Sequence, residues 1–239
     1  MIAPMTDVTI DTPDGPMPLA VAEPAGEPRG GVVVIQEAFG LTDHIRDLAE
    51  RLAAAGWLAV APALFHRSGS PVFAYDGGMK ALGPVFQSLT ASGIDDDLGA
   101  TLGYLAGRGI PSERTGVVGF CMGGTVALHA AAAFPLGAAV TFYGGGVVEG
   151  RWGLPSLLEQ APTLGAPWLG LYGDLDGGIP VEQVEDLRRA AATASVPTEV
   201  VRYPEAEHGF NCDARASHHA PSAADAWART LAWFDEHLA

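Results

Sequence analysis

The sequence predicts an α/β fold in which a mostly parallel central sheet is flanked by helices on both faces. Two patterns carry that prediction. Short β-branched or apolar runs alternate with longer segments of helical period, the order that parallel strands joined by crossover helices require. The strand-like runs are apolar at successive positions, as strands covered on both faces must be. No internal repeat, low-complexity tract or linker interrupts the alternation, so residues 1–239 are expected to form one domain.

Taken in order, "DVTIDTPDGPMPLAVAEP" reads as a hairpin turning at Asp14-Gly15. The run from Val32 to Ile35 in "GGVVVIQEAFG" is a buried strand. "DHIRDLAERLAAAGW" follows with Ile45, Leu48, Leu52 and Ala55 at helical spacing and Gly56 as a stop. "WLAVAPAL" is the next strand. Residues 66–93 are irregular and rich in Gly, Ser and Pro, as a covering segment would be. "IDDDLGATLGYLAGRG" is expected to be a helix opened by its acidic residues. The strand "RTGVVGF" runs into the helix "GGTVALHAAAAF". In the second half, "LGAAVTFYGG" is a strand, and "APWLGLYGDLDGGIP" is a strand and loop. "VEQVEDLRRAAATA" is a helix, "TEVVRYPEAEHGF" a strand and loop, and "ADAWARTLAWFDEHL" the last helix.

Composition narrows the function. Hydrophobic residues make up 48% of the 239, ample for a sizeable core. The formal net charge of −15 argues against a nucleic-acid partner, which clustered Lys and Arg would have to hold. It also means that an anionic substrate must be held locally, against the overall field. No run of about 20 apolar residues suggests a membrane span, and the first residues lack the basic and apolar regions of a signal peptide. Cys121 and Cys212 are too few for a disulfide framework, so a cytoplasmic protein with reduced thiols is expected.

In open α/β sheets reactive groups collect beyond the carboxyl ends of strands, and three candidates stand there. Cys121, in Gly119-Phe-Cys-Met-Gly123, occupies the centre of a nucleophile-elbow pattern with cysteine in place of serine. Glycines suit the close approach of strand and helix, and a helix N-terminus favours a thiolate. His208, in "YPEAEHGF", is the one histidine of seven with the right chain position; His129 is expected to be bonded within the core. Asp174 and Asp176, in "GDLDGGIP", both qualify by type as the third member, and either could instead cap the helix near Pro180. The order nucleophile, acid, histidine differs from that of chymotrypsin or subtilisin. A nucleophile, a base and an orienting acid are what nucleophilic acyl transfer requires.

These stretches, with "QEAFGL" after the first buried strand, resemble the dienelactone hydrolase family of the α/β-hydrolase superfamily along nearly the whole chain. The resemblance implies an α/β-hydrolase fold and a cysteine-nucleophile hydrolase of ester or lactone bonds. It implies Cys121 as nucleophile, Asp176 rather than Asp174 as acid, His208 as base, and Glu37 beside the thiol, governing its protonation. The backbone N–H groups of Met122 and Ala38 would form the oxyanion hole. No metal or organic cofactor is implied, and the partner is a small ester or lactone, with the protein a monomer or small homo-oligomer. The family's arginine about four residues past the histidine is replaced by Cys212, with Arg215 out of register. Its other arginine falls in the region that here reads "GGMKALG". The substrate-binding candidates are therefore Phe39, Arg67, Lys80 and Tyr143, with Tyr75, Phe86 and Trp152 as further linings. A broad carboxylesterase on the same machinery is the alternative; a binding-only relative, or a redox sensor pairing Cys121 with Cys212, stands further off.

Overall fold

The computed structural model describes residues 5–76 and 82–238. Eight strands form one sheet: β1 (Thr6–Thr12), β2 (Gly15–Ala22), β3 (Gly31–Ile35), β4 (Leu58–Pro62), β5 (Thr115–Phe120), β6 (Ala138–Phe142), β7 (Trp168–Gly173) and β8 (Thr198–Tyr203). The helices are α1 (Asp43–Ala54), α2 (Gly83–Gln87), α3 (Ala91–Gly107), α4 (Met122–Ala133), α5 (Leu157–Gln160), α6 (Val181–Ala191) and α7 (Ala220–His237). The spatial order of strands is β1-β2-β4-β3-β5-β6-β7-β8. The β1–β2 and β2–β4 pairings are antiparallel and every other pairing is parallel. This is the mostly parallel sheet, covered by helices on both faces, that the alternating sequence predicts.

Burial explains the strand sequences. Every residue of β3, β4, β5, β6 and β7 is buried, so these central strands read as continuous apolar runs. The edge strand β1 alternates instead, with half-buried Val8 and Ile10 between exposed polar residues.

Strand order also fixes where a site can form. After β3 the chain goes to β4 on one side; β5 then pairs with the other side of β3. The turns leaving β3 and β5 diverge there, opening a crevice at the carboxyl ends of the two strands. Helix α4 closes down tightly on this point. A Cβ at Gly123 would stand 2.6 Å from the Gln36 carbonyl, and one at Gly124 2.6 Å from the Phe142 carbonyl. Both obstacles are backbone, so only glycine lets the first turn of α4 seat on the strand ends.

Two expectations need correction. The helix expected to open on Asp95, Asp96 and Asp97 begins a turn earlier, where the Thr90 hydroxyl accepts from the Gly93 N–H at 3.1 Å. That cap outweighs the acidic cue, and Asp97 turns inward, fully buried. The segment from 66 to 93 is also less irregular than its composition suggests, since its described residues include a 3₁₀ turn (His66–Ser68), α2 and the start of α3.

Candidate active site

Cys121 lies between the end of β5 and the start of α4, with φ 56° and ψ −113°. A non-glycine residue with positive φ is strained, and the surroundings must hold it there. Its own N–H donates to the Phe142 carbonyl at 3.0 Å, which fixes the turn to the neighbouring strand. The thiol is half-buried and faces a pocket of about 360 Å³. Met122, next in the chain, is the first residue of α4, whose leading N–H groups have no intrahelical acceptor. Both Met122 and Ala38 line the same pocket. Ala38 is held there by the turn after β3, where the Gly40 N–H donates to the Glu37 carbonyl at 3.3 Å and Gly40 adopts φ 86°.

Asp176 and His208 are brought together by the loops leaving β7 and β8. The Asp174 N–H donates to the Tyr203 carbonyl and the Leu175 N–H to the Ala206 carbonyl, each at 2.9 Å. Those two bonds join the loops. The buried Asp176 carboxylate then accepts from His208 Nδ1 at 2.6 Å, and its other oxygen accepts from the Gly178 N–H at 2.8 Å. Burial pulls the imidazole pKa down, but the bond to Asp176 and the neighbouring Cys121 sulfur outweigh it and leave the value at about 10. Between the two aspartates the geometry decides. Asp174 neither caps α6 nor faces the pocket, because both its oxygens accept from Arg202 at 2.7 Å.

Glu37 is fully buried, with neither carboxylate oxygen in a hydrogen bond among the described residues. The group nearest to it in charge is Arg215, whose Nη1 lies 3.5 Å from Oε1. Glu37 therefore faces an arginine behind the site and is not among the residues lining the pocket. Sequence spacing missed Arg215. Successive turns, Cys212 N–H to the Gly209 carbonyl and Arg215 N–H to the Cys212 carbonyl, fold it back. Gly209, at φ 80°, leaves the space its guanidinium fills.

The expected substrate contacts divide. Phe86 and Trp152 line the pocket. Phe39, Tyr143 and Tyr75 do not. Phe39 is buried between Tyr75 and Arg215, its ring 4.7 Å from that of Tyr75. Tyr143 is fully buried, packs its ring 5.0 Å from His208, and has a hydroxyl without a partner among the described residues. Burial and the nearby Glu37 push its phenol pKa well up. Arg67 does not line the pocket either: its guanidinium donates to Asp97 at 2.7 and 3.0 Å, to Asp14 at 2.7 Å and to the Gly93 carbonyl. Lys80 lies outside the described residues. Arg151, not foreseen from the sequence, lines the pocket.

His44, Cys212 and Asp213 form a second cluster, their side-chain ligand atoms within 4.8 Å of one another. It fits a metal poorly. Burial raises the Cys212 pKa against the thiolate a metal needs, and the buried His44 Nε2 has no acceptor among the described residues to orient the ring. Cys212 is also fully buried and lines no part of the pocket that Cys121 faces. His129, as expected, is bonded inside the structure, to Gln160 and Asp95 at 2.7 Å each.

A sheet of this order, with an elbow after β5 and an acid and histidine after β7 and β8, defines an α/β-hydrolase. Residues 17–238 match the model of the dienelactone hydrolase family. A candidate carboxymethylenebutenolidase of Yersinia pestis is 38% identical over 235 residues, covering 97% of this chain and 88% of the relative. The crystal structure of a candidate dienelactone hydrolase from Klebsiella pneumoniae superposes with a TM-score of 0.90 at 38% identity, covering 99% of each chain. A dienelactone hydrolase-like promiscuous phosphotriesterase, P91, from metagenomic libraries gives 0.78 at 26% identity, covering 98% of each chain. The chain belongs to the dienelactone hydrolase family. It is a cysteine-nucleophile hydrolase of carboxylic ester or lactone bonds. Among the described residues no helix is long and apolar enough to cross a membrane.

Proposed function

We propose that Cys121, His208 and Asp176 carry out this hydrolysis through an acyl-thioester on Cys121. The observation that carries the assignment is the Asp176–His208 bond of 2.6 Å in the pocket that the strained Cys121 also lines. Cys121 attacks the carbonyl carbon as the thiolate, having handed its proton to His208. As the C–S bond forms, the carbonyl oxygen becomes an oxyanion facing the Met122 and Ala38 N–H groups. Collapse breaks the C–O bond, and His208 protonates the departing oxygen; in a lactone that hydroxyl stays tethered.

Acylation removes the thiol contact that helped hold the proton on His208. The imidazole, oriented by Asp176, then takes a proton from water. The hydroxide equivalent attacks the thioester, the C–S bond breaks, and the acid leaves as the Cys–His pair is restored. Glu37 and Arg215 fix the turn that presents the Ala38 amide. Thiolates leave readily, so activated esters, enol esters and lactones are the preferred substrates, with dienelactones the specific class. A reduced Cys121 suits the cytoplasm, where we place the reaction.

The test is mass spectrometry of the protein quenched during turnover of p-nitrophenyl acetate and of a dienelactone. One acyl group on Cys121, and no turnover by Cys121→Ala, is the expected result. Acylation confined to Cys212, or undiminished turnover by Cys121→Ala, would refute the assignment.

A further inference from the structure

We propose that Arg151 is a specificity residue that holds an anionic group, a carboxylate in the simplest case, on the substrate; this rests on the hydrolase site proposed above. The pocket wall facing the elbow is apolar, with Phe86, Trp152 and Ile179, except for this one guanidinium. The pocket's other charged groups already satisfy each other, since Asp176 is committed to His208 and Gly178. Arg151 has no carboxylate within 4 Å among the described residues, and residues 77–81 contain no acid. Every other arginine except Arg114 is in an ion pair. In a chain of net charge −15, a cation left unpaired in a reactive pocket is a selective feature.

The loop between β6 and α5 is shaped to hold that cation. Its base is tied by Leu157 N–H to the Gly146 carbonyl at 3.0 Å and Leu158 N–H to the Val147 carbonyl at 3.1 Å. The guanidinium lies over Gly145 and the stem over Gly146. A Cβ at Gly145 would stand 3.2 Å from Nη2, and one at Gly146 3.3 Å from Cγ and Cδ. Trp152 then takes φ 55°, a strained conformation for a tryptophan, as the loop turns back along the pocket. Its indole lies 6.0 Å from the Phe86 ring. The result is a tilted aromatic wall beside a planar bidentate donor, which fits a small acyl group ending in a carboxylate.

The test compares two p-nitrophenyl esters with acyl chains of equal length, the neutral butyrate and the anionic hemisuccinate. Arg151→Gln is expected to lower kcat/KM for the hemisuccinate about 10- to 100-fold more than for the butyrate, the range for a lost charge-assisted hydrogen bond. The loss should fall on KM, and Arg151→Lys should recover part of it. Equal losses on both esters would mean that Arg151 only supports the loop, and would overturn the proposal, as would an unchanged ratio.

A binding measurement separates this proposal from the hydrolase assignment. Tryptophan fluorescence of Cys121→Ala is titrated with benzoate and with benzamide. Saturable quenching by benzoate alone, abolished by adding Arg151→Gln, supports the anion site even if neither ester is hydrolysed. Identical responses to benzoate and benzamide would overturn it.

Discussion

Replacing Arg215 with methionine keeps most of the side-chain volume and removes the charge that faces Glu37. At 3.5 Å the pair is worth ~5 kcal/mol of Coulomb attraction at an effective dielectric of about 20. Glu37 is fully enclosed and accepts no hydrogen bond among the described residues, where Arg215 is its one ion-pair partner. Arg215→Met is therefore expected to destabilise the protein by ~3–4 kcal/mol, in the range for stranding a buried ion. Glu37→Gln should cost far less, ~1 kcal/mol, because the arginine side chain is 21% exposed and can turn its charge to water. In Arg215→Met/Glu37→Gln no charge is stranded, and most of the loss should return. The assay is urea denaturation followed by tryptophan fluorescence on all four proteins, at one pH and salt concentration. A coupling energy of ~2–3 kcal/mol is the expected outcome of the cycle. If Arg215→Met loses less than ~1 kcal/mol, or the two substitutions simply add, the pair does not hold the Ala38 turn as described.

Two further perturbations test the same surroundings. Asp176→Asn removes the carboxylate that holds the proton on His208, so the imidazole pKa should fall from about 10 toward its ordinary 6.5, read from the ring-proton NMR titration. The raised value also gives a sign for stability: the contribution is complete below pH 6.5 and lost as pH rises to about 10, so Tm should fall over that interval more in wild type than in Asp176→Asn. Tyr143→Phe deletes a buried hydroxyl that has no partner among the described residues, and should raise stability by ~1 kcal/mol; a loss of that size would show that the hydroxyl has one.

What the sequence made legible follows local rules. Apolar runs marked the buried strands, and glycines at 119, 123 and 124 marked where α4 meets the strand ends, which placed Cys121. His208 and the aspartate loop were visible as strand-end residues, but the choice of Asp176 came from resemblance, because the Arg202 that occupies Asp174 belongs to another strand. What stayed hidden depended on distant partners. Arg67 looked available until Asp14 and Asp97, both far away in the chain, closed around it. Phe39 and Tyr143 have the composition of pocket walls, yet their rings are spent on packing. Arg215 and Arg151 were not located because a count of residues says nothing about successive turns or positive φ angles.

The loop that carries Arg151 and Trp152 leaves β6 and re-enters the fold at α5, while the elbow, the acid and the histidine leave β5, β7 and β8. The anion-holding arginine and the bond-breaking groups are thus written on separate stretches of chain that share the pocket. Gly144 and Gly145 are held against the first turn of α4, but natural drift in residues 147–153 can retune which acyl group is admitted without moving the acyl-transfer machinery. A lineage with this arrangement can exchange one ester for another in small steps, with each intermediate sequence still a working catalyst.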